Sequence, residues 1–135
     1  MQRADKILLC THGHFGEKLK EAAEMIAGSM ERLKTFSLLP GMTAEELSGM
    51  IEQELQDGKL SLCLVDIAGG TPFNVMVRLT AQYPISVVTG VNMAMLIDVY
   101  ESMDELEYDK LAQCAIESLV SSGRVIHLKG ANTDE

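Results

Sequence analysis

Two short segments hold the residue types that could perform a reaction. Thr11-His12-Gly13-His14 sets an imidazole at the end of one apolar run, Lys6 to Cys10. Asp66-Ile67-Ala68-Gly69-Gly70-Thr71-Pro72 sets a carboxylate at the end of another, Leu60 to Val65, followed by a glycine loop. A histidine is a nucleophile when one ring nitrogen is unprotonated and aimed outward. A carboxylate that accepts the hydrogen of the other nitrogen selects that tautomer and steadies positive charge on the ring. A glycine loop that opens a helix at Pro72 supplies backbone N–H groups and the positive end of a helix dipole to an arriving phosphate. Thr71 adds a hydroxyl donor. The pattern predicts a phosphoryl group carried on His12, with Asp66 orienting the imidazole and Gly13, Gly69, Gly70 and Thr71 around the phosphate.

These segments can meet only if the right elements hold them. Lys6 to Cys10 reads as a buried strand, and Gly16 to Gly28 as a helix with Leu19, Ala22, Ala23 and Ile26 at helical spacing. A second strand spans Leu33 to Leu39. Thr43 with Glu46 three residues later starts a helix as a capping box, and Leu60 to Val65 is a third strand. A helix from Pro72 to about Gln82 follows the glycine loop, then a β-branched strand, Ile85 to Thr89. Gly90-Val91-Asn92 turns into a short helix, Met93 to Tyr100, with Asn92 first a cap and only second a contributor to the site. A long helix spans roughly Asp104 to Ser122, and Val125 to Leu128 reads as a fifth strand. The three cysteines, Cys10, Cys63 and Cys114, sit in apolar patterns and read as reduced core residues.

Such alternation predicts an α/β fold with an open, mainly parallel sheet and helices on both faces. Ligands in such sheets bind beyond the carboxyl ends of the strands, where strand order reverses. In the order 2-1-3-4 that point lies between strands one and three, and His12 faces Asp66 across it. One domain is expected over residues 1–130, with 131–135 as a flexible tail.

Bulk properties narrow the function classes. With 135 residues, 47% hydrophobic and 23% charged, the chain has the composition of one soluble domain. Its formal net charge of −9 opposes nucleic acid and anionic membrane, and favours a partner with a basic docking face. No apolar run approaches the roughly 20 residues of a membrane span, and no signal peptide is visible. The expected location is the cytoplasm.

The segments Leu9-Cys10-Thr11-His12-Gly13, Val65-Asp66-Ile67-Ala68-Gly69-Gly70-Thr71-Pro72-Phe73-Asn74 and Thr89-Gly90-Val91-Asn92-Met93-Ala94-Met95-Leu96 occur in that order. Together they resemble the EIIA domain of the mannose family, a component of the bacterial phosphoenolpyruvate-dependent sugar phosphotransferase system (PTS). The resemblance covers residues 6 to about 128 and implies a phosphotransferase. In it His12 takes phosphate from the carrier protein HPr and passes it to an EIIB partner, and the phosphate ends on a sugar entering through a membrane EIIC/EIID pair. The family's carboxylate maps to Asp66 and its serine-or-threonine position to Thr71. His14 is a local departure. The resemblance further implies a homodimer in which a C-terminal strand, here Val125 to Leu128, crosses to pair antiparallel with the partner's sheet. It implies no cofactor.

Three rivals stand beside this reading. His12, His14 and Asp66 could hold zinc in a hydrolase, although a metal site gives no reason for the glycine loop. The same domain type occurs inside transcriptional activators, where phosphorylation is a signal, and in phosphotransfer linked to dihydroxyacetone kinase. The end of the chain at residue 135 suggests a free-standing EIIA.

Overall fold

The three-dimensional structure is a computed structural model that describes residues 2–128. Among these, the elements run β1 (Lys6–His12), α1 (Phe15–Ala27), β2 (Leu33–Leu38), α2 (Ala44–Leu55), β3 (Ser61–Val65), α3 (Thr71–Leu79), β4 (Ile85–Thr89), α4 (Met93–Ser102) and α5 (Tyr108–Ser122). The four strands form one all-parallel sheet in the order β2-β1-β3-β4, as expected.

The central strands are apolar throughout because both of their faces are covered. Ile7 and Leu9 of β1 point into one core, with Leu19 and Ala23 of α1, Met95 and Val99 of α4, and Leu111 of α5. Leu8 and Cys10 point into the other, with Leu47 and Ile51 of α2 and Val75 and Met76 of α3. Successive strand side chains alternate between faces, so a two-sided sheet needs an unbroken hydrophobic run. Each fully buried Leu or Ile contributes about 1.5–3 kcal/mol relative to exposure. Cys10 and Cys63 lie within the second core, and burial pushes the Cys10 thiol up to about 12 and raises that of Cys63 as well. Cys114 is only partly buried, so it departs from the core reading of all three cysteines.

Local signals hold where their chemistry is self-contained. The Thr43–Glu46 capping box forms with both hydrogen bonds, 3.0 and 2.9 Å, and Asn92 caps α4 by accepting the Met95 N–H. Element ends move where tertiary contacts intervene. β1 runs two residues past Cys10, because Thr11 and His12 pair with Ser37 and Leu38 of β2. α3 stops at Leu79, and the chain turns through Thr80–Pro84 into β4. α5 begins at Tyr108 instead of Asp104, since the N–H groups of Glu105 and Leu106 turn back onto the Ser102 carbonyl.

The fifth strand is the main departure. Residues 123–127 adopt no regular structure in the chain, and Val125, Ile126 and Leu128 are 74, 66 and 88% exposed. A strand is completed by its neighbour's backbone, and among the described residues this segment pairs with neither edge of the sheet, β2 or β4. His127 is exposed there as well. The expected tail at 131–135 lies outside the described residues.

Candidate functional site

β1 and β3 are neighbours in register, Cys10 opposite Val65, so their carboxyl ends deliver His12 and Asp66 to the same point. His12 is the last residue of β1 and Asp66 the first after β3. Asp66 Oδ2 accepts two hydrogen bonds from His12, one from the backbone N–H and one from the ring Nδ1, each at 2.9 Å. Asp66 Oδ1 accepts the N–H of Ile67 at 3.0 Å. The carboxylate is therefore fixed by the backbone before it touches the ring.

That contact determines the state of the imidazole. A carboxylate has no hydrogen to give, so Nδ1 must be the donor, and the neutral ring keeps its lone pair on Nε2. The His12 side chain is 49% exposed against 15% for Asp66, so the reactive edge faces outward over a sheltered carboxylate.

Nε2 lies against the start of α3. A Cβ placed on Gly70, the cap of that helix, would meet His12 Cε1 at 2.7 Å and Nε2 at 3.1 Å. The first N–H groups of a helix have no partner within it, and Gly70, which caps this helix start, lies beside the nitrogen that Asp66 leaves free. Pro72 occupies the second helical position, and Thr71 the first. Gly13 and Gly69 have φ of 54° and 90°, the left-handed region where a side chain is strained, so each shapes its turn. Of the residues proposed from sequence to surround a phosphate, Gly70 and Thr71 stand at the helix start and Gly69 one turn position before it. Gly13 leaves β1 with its N–H on the Leu38 carbonyl at 2.8 Å.

The other candidates have different neighbours. His14 Nδ1 pairs with Glu17 at 3.1 Å, and Glu17 also accepts from Ser37 Oγ at 3.0 Å. These hydrogen bonds, Ser37's foremost, hold the Glu17 carboxyl below the usual carboxylate range. The zinc arrangement is not assembled: among the described residues no group of three or more His, Cys, Asp and Glu is placed to hold a metal ion. Asn92 spends its side chain on capping α4 and on Ser122 Oγ, 3.1 Å away, although its loop is tied to the end of β3 by the Val91 N–H on the Val65 carbonyl.

One contributor had no role assigned from sequence. Thr11 is fully buried, and its Oγ1 accepts the Gly16 N–H at 2.8 Å. It does for α1 what the cap residue His14 does not, since His14 makes no capping bond. A threonine within a buried strand, four residues before a helix start, is the signal that could have shown it.

Comparison with known proteins agrees with this geometry. Residues 6–116 match the EIIA-man family, described as the PTS system fructose IIA component. The chain is 33% identical over 117 residues to the PTS system mannose-specific EIIAB component of Escherichia coli (strain K12), covering 83% of this chain and 36% of that protein. It thus spans about a third of the length of that relative. It is 31% identical over 104 residues to the PTS system fructose-specific EIIA component of Bacillus subtilis (strain 168), covering 74% of this chain and 71% of that one. Among solved structures, the mannose/sorbose specific IIA subunit from Enterococcus faecalis superposes with a TM-score of 0.87 at 26% identity, covering 98% of this chain and all of that one. No described helix is long and apolar enough to cross a membrane. With the family matched over most of its length, and a histidine and carboxylate meeting where the sheet order reverses, the chain belongs to the mannose-type EIIA family of the phosphotransferase system.

Proposed function

We propose that this chain is a phosphoryl carrier of a sugar phosphotransferase system, accepting phosphate from HPr on His12 and passing it to EIIB. The observation that carries the reading is the His12 ring itself, tied through Nδ1 to Asp66 at 2.9 Å with Nε2 free at the start of α3. In the transfer, the Nε2 lone pair forms the bond to phosphorus as the bond from phosphorus to the donor atom breaks. Nδ1 keeps its hydrogen, the ring becomes positive, and Asp66 offsets that charge. The same steps in reverse order hand the group to the acceptor.

The exposure of the site supports a macromolecular partner. A half-exposed ring can be reached by another protein's active site, and two exposed apolar side chains lie close by in the site's own segments, Phe15 three residues after His12 and Ile67 directly after Asp66, 47 and 57% exposed. The net charge of −9 complements a basic docking face. The sugar, and any membrane EIIC/EIID pair, lie downstream of EIIB in this scheme, in the cytoplasm and its membrane. The test is mass measurement after incubation with phosphoenolpyruvate, enzyme I and HPr. One acid-labile phosphoryl group is expected, absent in His12→Ala. A normally phosphorylated His12→Ala overturns the assignment.

The reading includes a homodimer. The segment Val125–Leu128 is apolar and exposed, and among the described residues β4 is an edge strand paired to β3 alone, so an exchanged antiparallel strand would cover both. Light scattering of the full chain should give a dimer, and a chain ending at Gly123 should lose it. A full chain that is monomeric at high micromolar concentration excludes the exchange.

A further inference from the structure

Gly69 and Gly70 are neighbours in one loop, yet they are glycines for different reasons. Gly69 has φ of 90°, and a Cβ there would meet nothing within 4 Å. Its conformation demands glycine, its surroundings do not. Gly70 is the reverse. Its φ of −91° and ψ of 177° are extended backbone that any residue adopts. A Cβ there, however, would lie 2.7 Å from His12 Cε1 and 3.1 Å from Nε2. Carbon atoms in contact sit about 3.5–4.0 Å apart, so the imidazole occupies the space that a side chain at position 70 would fill.

We infer that Gly70 is a positioning residue for phosphoryl transfer, its bare Cα being the wall against which the His12 ring lies while Nδ1 reaches Asp66 and Nε2 faces the start of α3. The inference rests on the proposed role of His12 as phosphoryl carrier. Two contacts are needed to orient a flat ring: Asp66 fixes one edge, and the Gly70 backbone limits rotation about the bond to that edge. A methyl group at position 70 must displace something. The neighbouring backbone is held, with the Asn74 N–H on the Gly70 carbonyl at 2.9 Å, whereas the ring is the half-exposed end of a side chain. The ring moves outward and its bond to Asp66 lengthens or breaks. Stability and function should therefore separate at this position.

The experiment compares Gly70→Ala with Gly69→Ala and wild type by nitrogen–proton NMR of the His12 ring at a pH where the ring is neutral. Wild type should carry its hydrogen on Nδ1. Gly70→Ala should remain folded by circular dichroism, shift the ring toward the Nε2–H tautomer or a mixture, and accept phosphate from phospho-HPr at least roughly tenfold more slowly. Gly69→Ala should melt lower and keep the wild-type tautomer. Because both act on one ring, Gly70→Ala and Asp66→Asn should be non-additive in rate when combined. A wild-type tautomer and rate in Gly70→Ala overturns the inference, as do additive effects. An unfolded Gly70→Ala also overturns it, since the contact is then with something less mobile than the ring. The tautomer reports on Gly70 even if phosphate is found elsewhere than His12, so failure of the carrier reading is seen separately, as a wild type unphosphorylated at His12.

Discussion

β1 begins at Lys6 and ends at His12, and the two ends of this one strand treat their polar side chains in opposite ways. Lys6 is 3% exposed, with Nζ 2.7 Å from Asp57 and 3.7 Å from Glu54. Arg32 nearby forms a two-pronged pair with Asp104 at 2.9 and 3.1 Å. These cations are matched by carboxylates, and their partners Asp57 and Asp104 are held below the usual carboxylate range by those contacts. At the other end, His12 is matched at one nitrogen and open at the second. A charge matched by its neighbours serves the fold, because any other arrangement would cost solvation. A ring fixed at one atom and free at the other holds a lone pair ready for an incoming group. The position of helix starts explains which end does which: in a parallel sheet the helices after the strands begin at the carboxyl ends, so unpaired N–H groups collect beside His12 and not beside Lys6.

The strongest way to break this comparison is Asp66→Asn. Asp66 Oδ2 takes both His12 bonds and Oδ1 the Ile67 N–H, so an asparagine keeps only one set. With its oxygen on His12 its NH2 faces the Ile67 N–H, and flipped its NH2 faces the His12 N–H and the ring. The variant should fold and melt somewhat below wild type. It brings no negative charge, and its amide as donor favours the wrong tautomer. In serine proteases, changing the carboxylate that orients the catalytic histidine to its amide lowers the rate roughly 10⁴-fold. A transfer between carrier groups asks less, and a loss of about 10-fold to 10³-fold is expected, each tenfold being about 1.4 kcal/mol. Rapid-quench measurement of transfer from phospho-HPr checks it, and a wild-type rate removes Asp66 from the mechanism.

Lys6→Ala should show the converse. It deletes a buried stem and leaves two carboxylates without their cation, for a loss of roughly 1–3 kcal/mol, kept below the figure for a fully buried pair because both carboxylates are about a third exposed. Transfer at saturating donor should be unchanged at a temperature where the variant is folded. The acid limb should change too. The Asp57 carboxyl is lowered in the folded state, chiefly by the Lys6 hydrogen bond. Its stabilisation is present above the unfolded pKa of about 3.9 and is lost as pH falls through the lower folded value. Lys6→Ala removes most of that contribution, so its stability should fall less steeply on acidification than that of wild type. Thermal melts from neutral to acid pH decide this, and an equal acid slope in both proteins would show that Lys6 does not control Asp57.

The difference between the ends also bears on how much was legible in the residues alone. His12, Asp66 and the glycine loop could be brought together from sequence because strand–helix alternation and the order 2-1-3-4 leave one place for them to meet. The division of labour between Gly69 and Gly70 could not, because one residue type meets both a positive φ and a missing Cβ, and only coordinates separate them. Thr11 was visible as part of a motif, but its bond to the Gly16 N–H depends on how α1 leaves the strand. Val125–Leu128 reads as a strand because β-branched and apolar residues favour one, yet that preference does not say which edge, the chain's own or a partner's, receives it. The early start assigned to α5 fails in a related way: Asp104 and Glu105 suit a first helical turn, while the carbonyl of Ser102 and the bond to Arg32 keep them in the preceding turn.

The smallest expected effect is the sharpest test, because His14 looks so much like His12. Both imidazoles have Nδ1 on a carboxylate, at 3.1 Å for His14 and 2.9 Å for His12, and both are well exposed, at 62 and 49%. What differs is everything around the pair. Glu17 is three residues away along the chain and 44% exposed, whereas Asp66 comes from another strand and is 15% exposed. Glu17 also accepts from Ser37, whereas Asp66 Oδ2 accepts both of its bonds from His12. The start of α3 lies at the free nitrogen of His12, and the atoms nearest a Cβ on Gly70 belong to His12 and Ile67, none to His14. An exposed pair within one helical turn is screened by water and contributes little. His14→Ala should therefore take up phosphate at the wild-type level and rate and melt at the wild-type temperature. Because Ser37 is the larger cause of the lowered Glu17 carboxyl, that group should still titrate below the usual carboxylate range in the variant, as followed by NMR of its side-chain carboxyl carbon. A slowed His14→Ala, or phosphate appearing on His14 in His12→Ala, would mean that a carboxylate on Nδ1 is enough to make a carrier. Neither the helix start nor the glycine wall would then be what sets His12 apart.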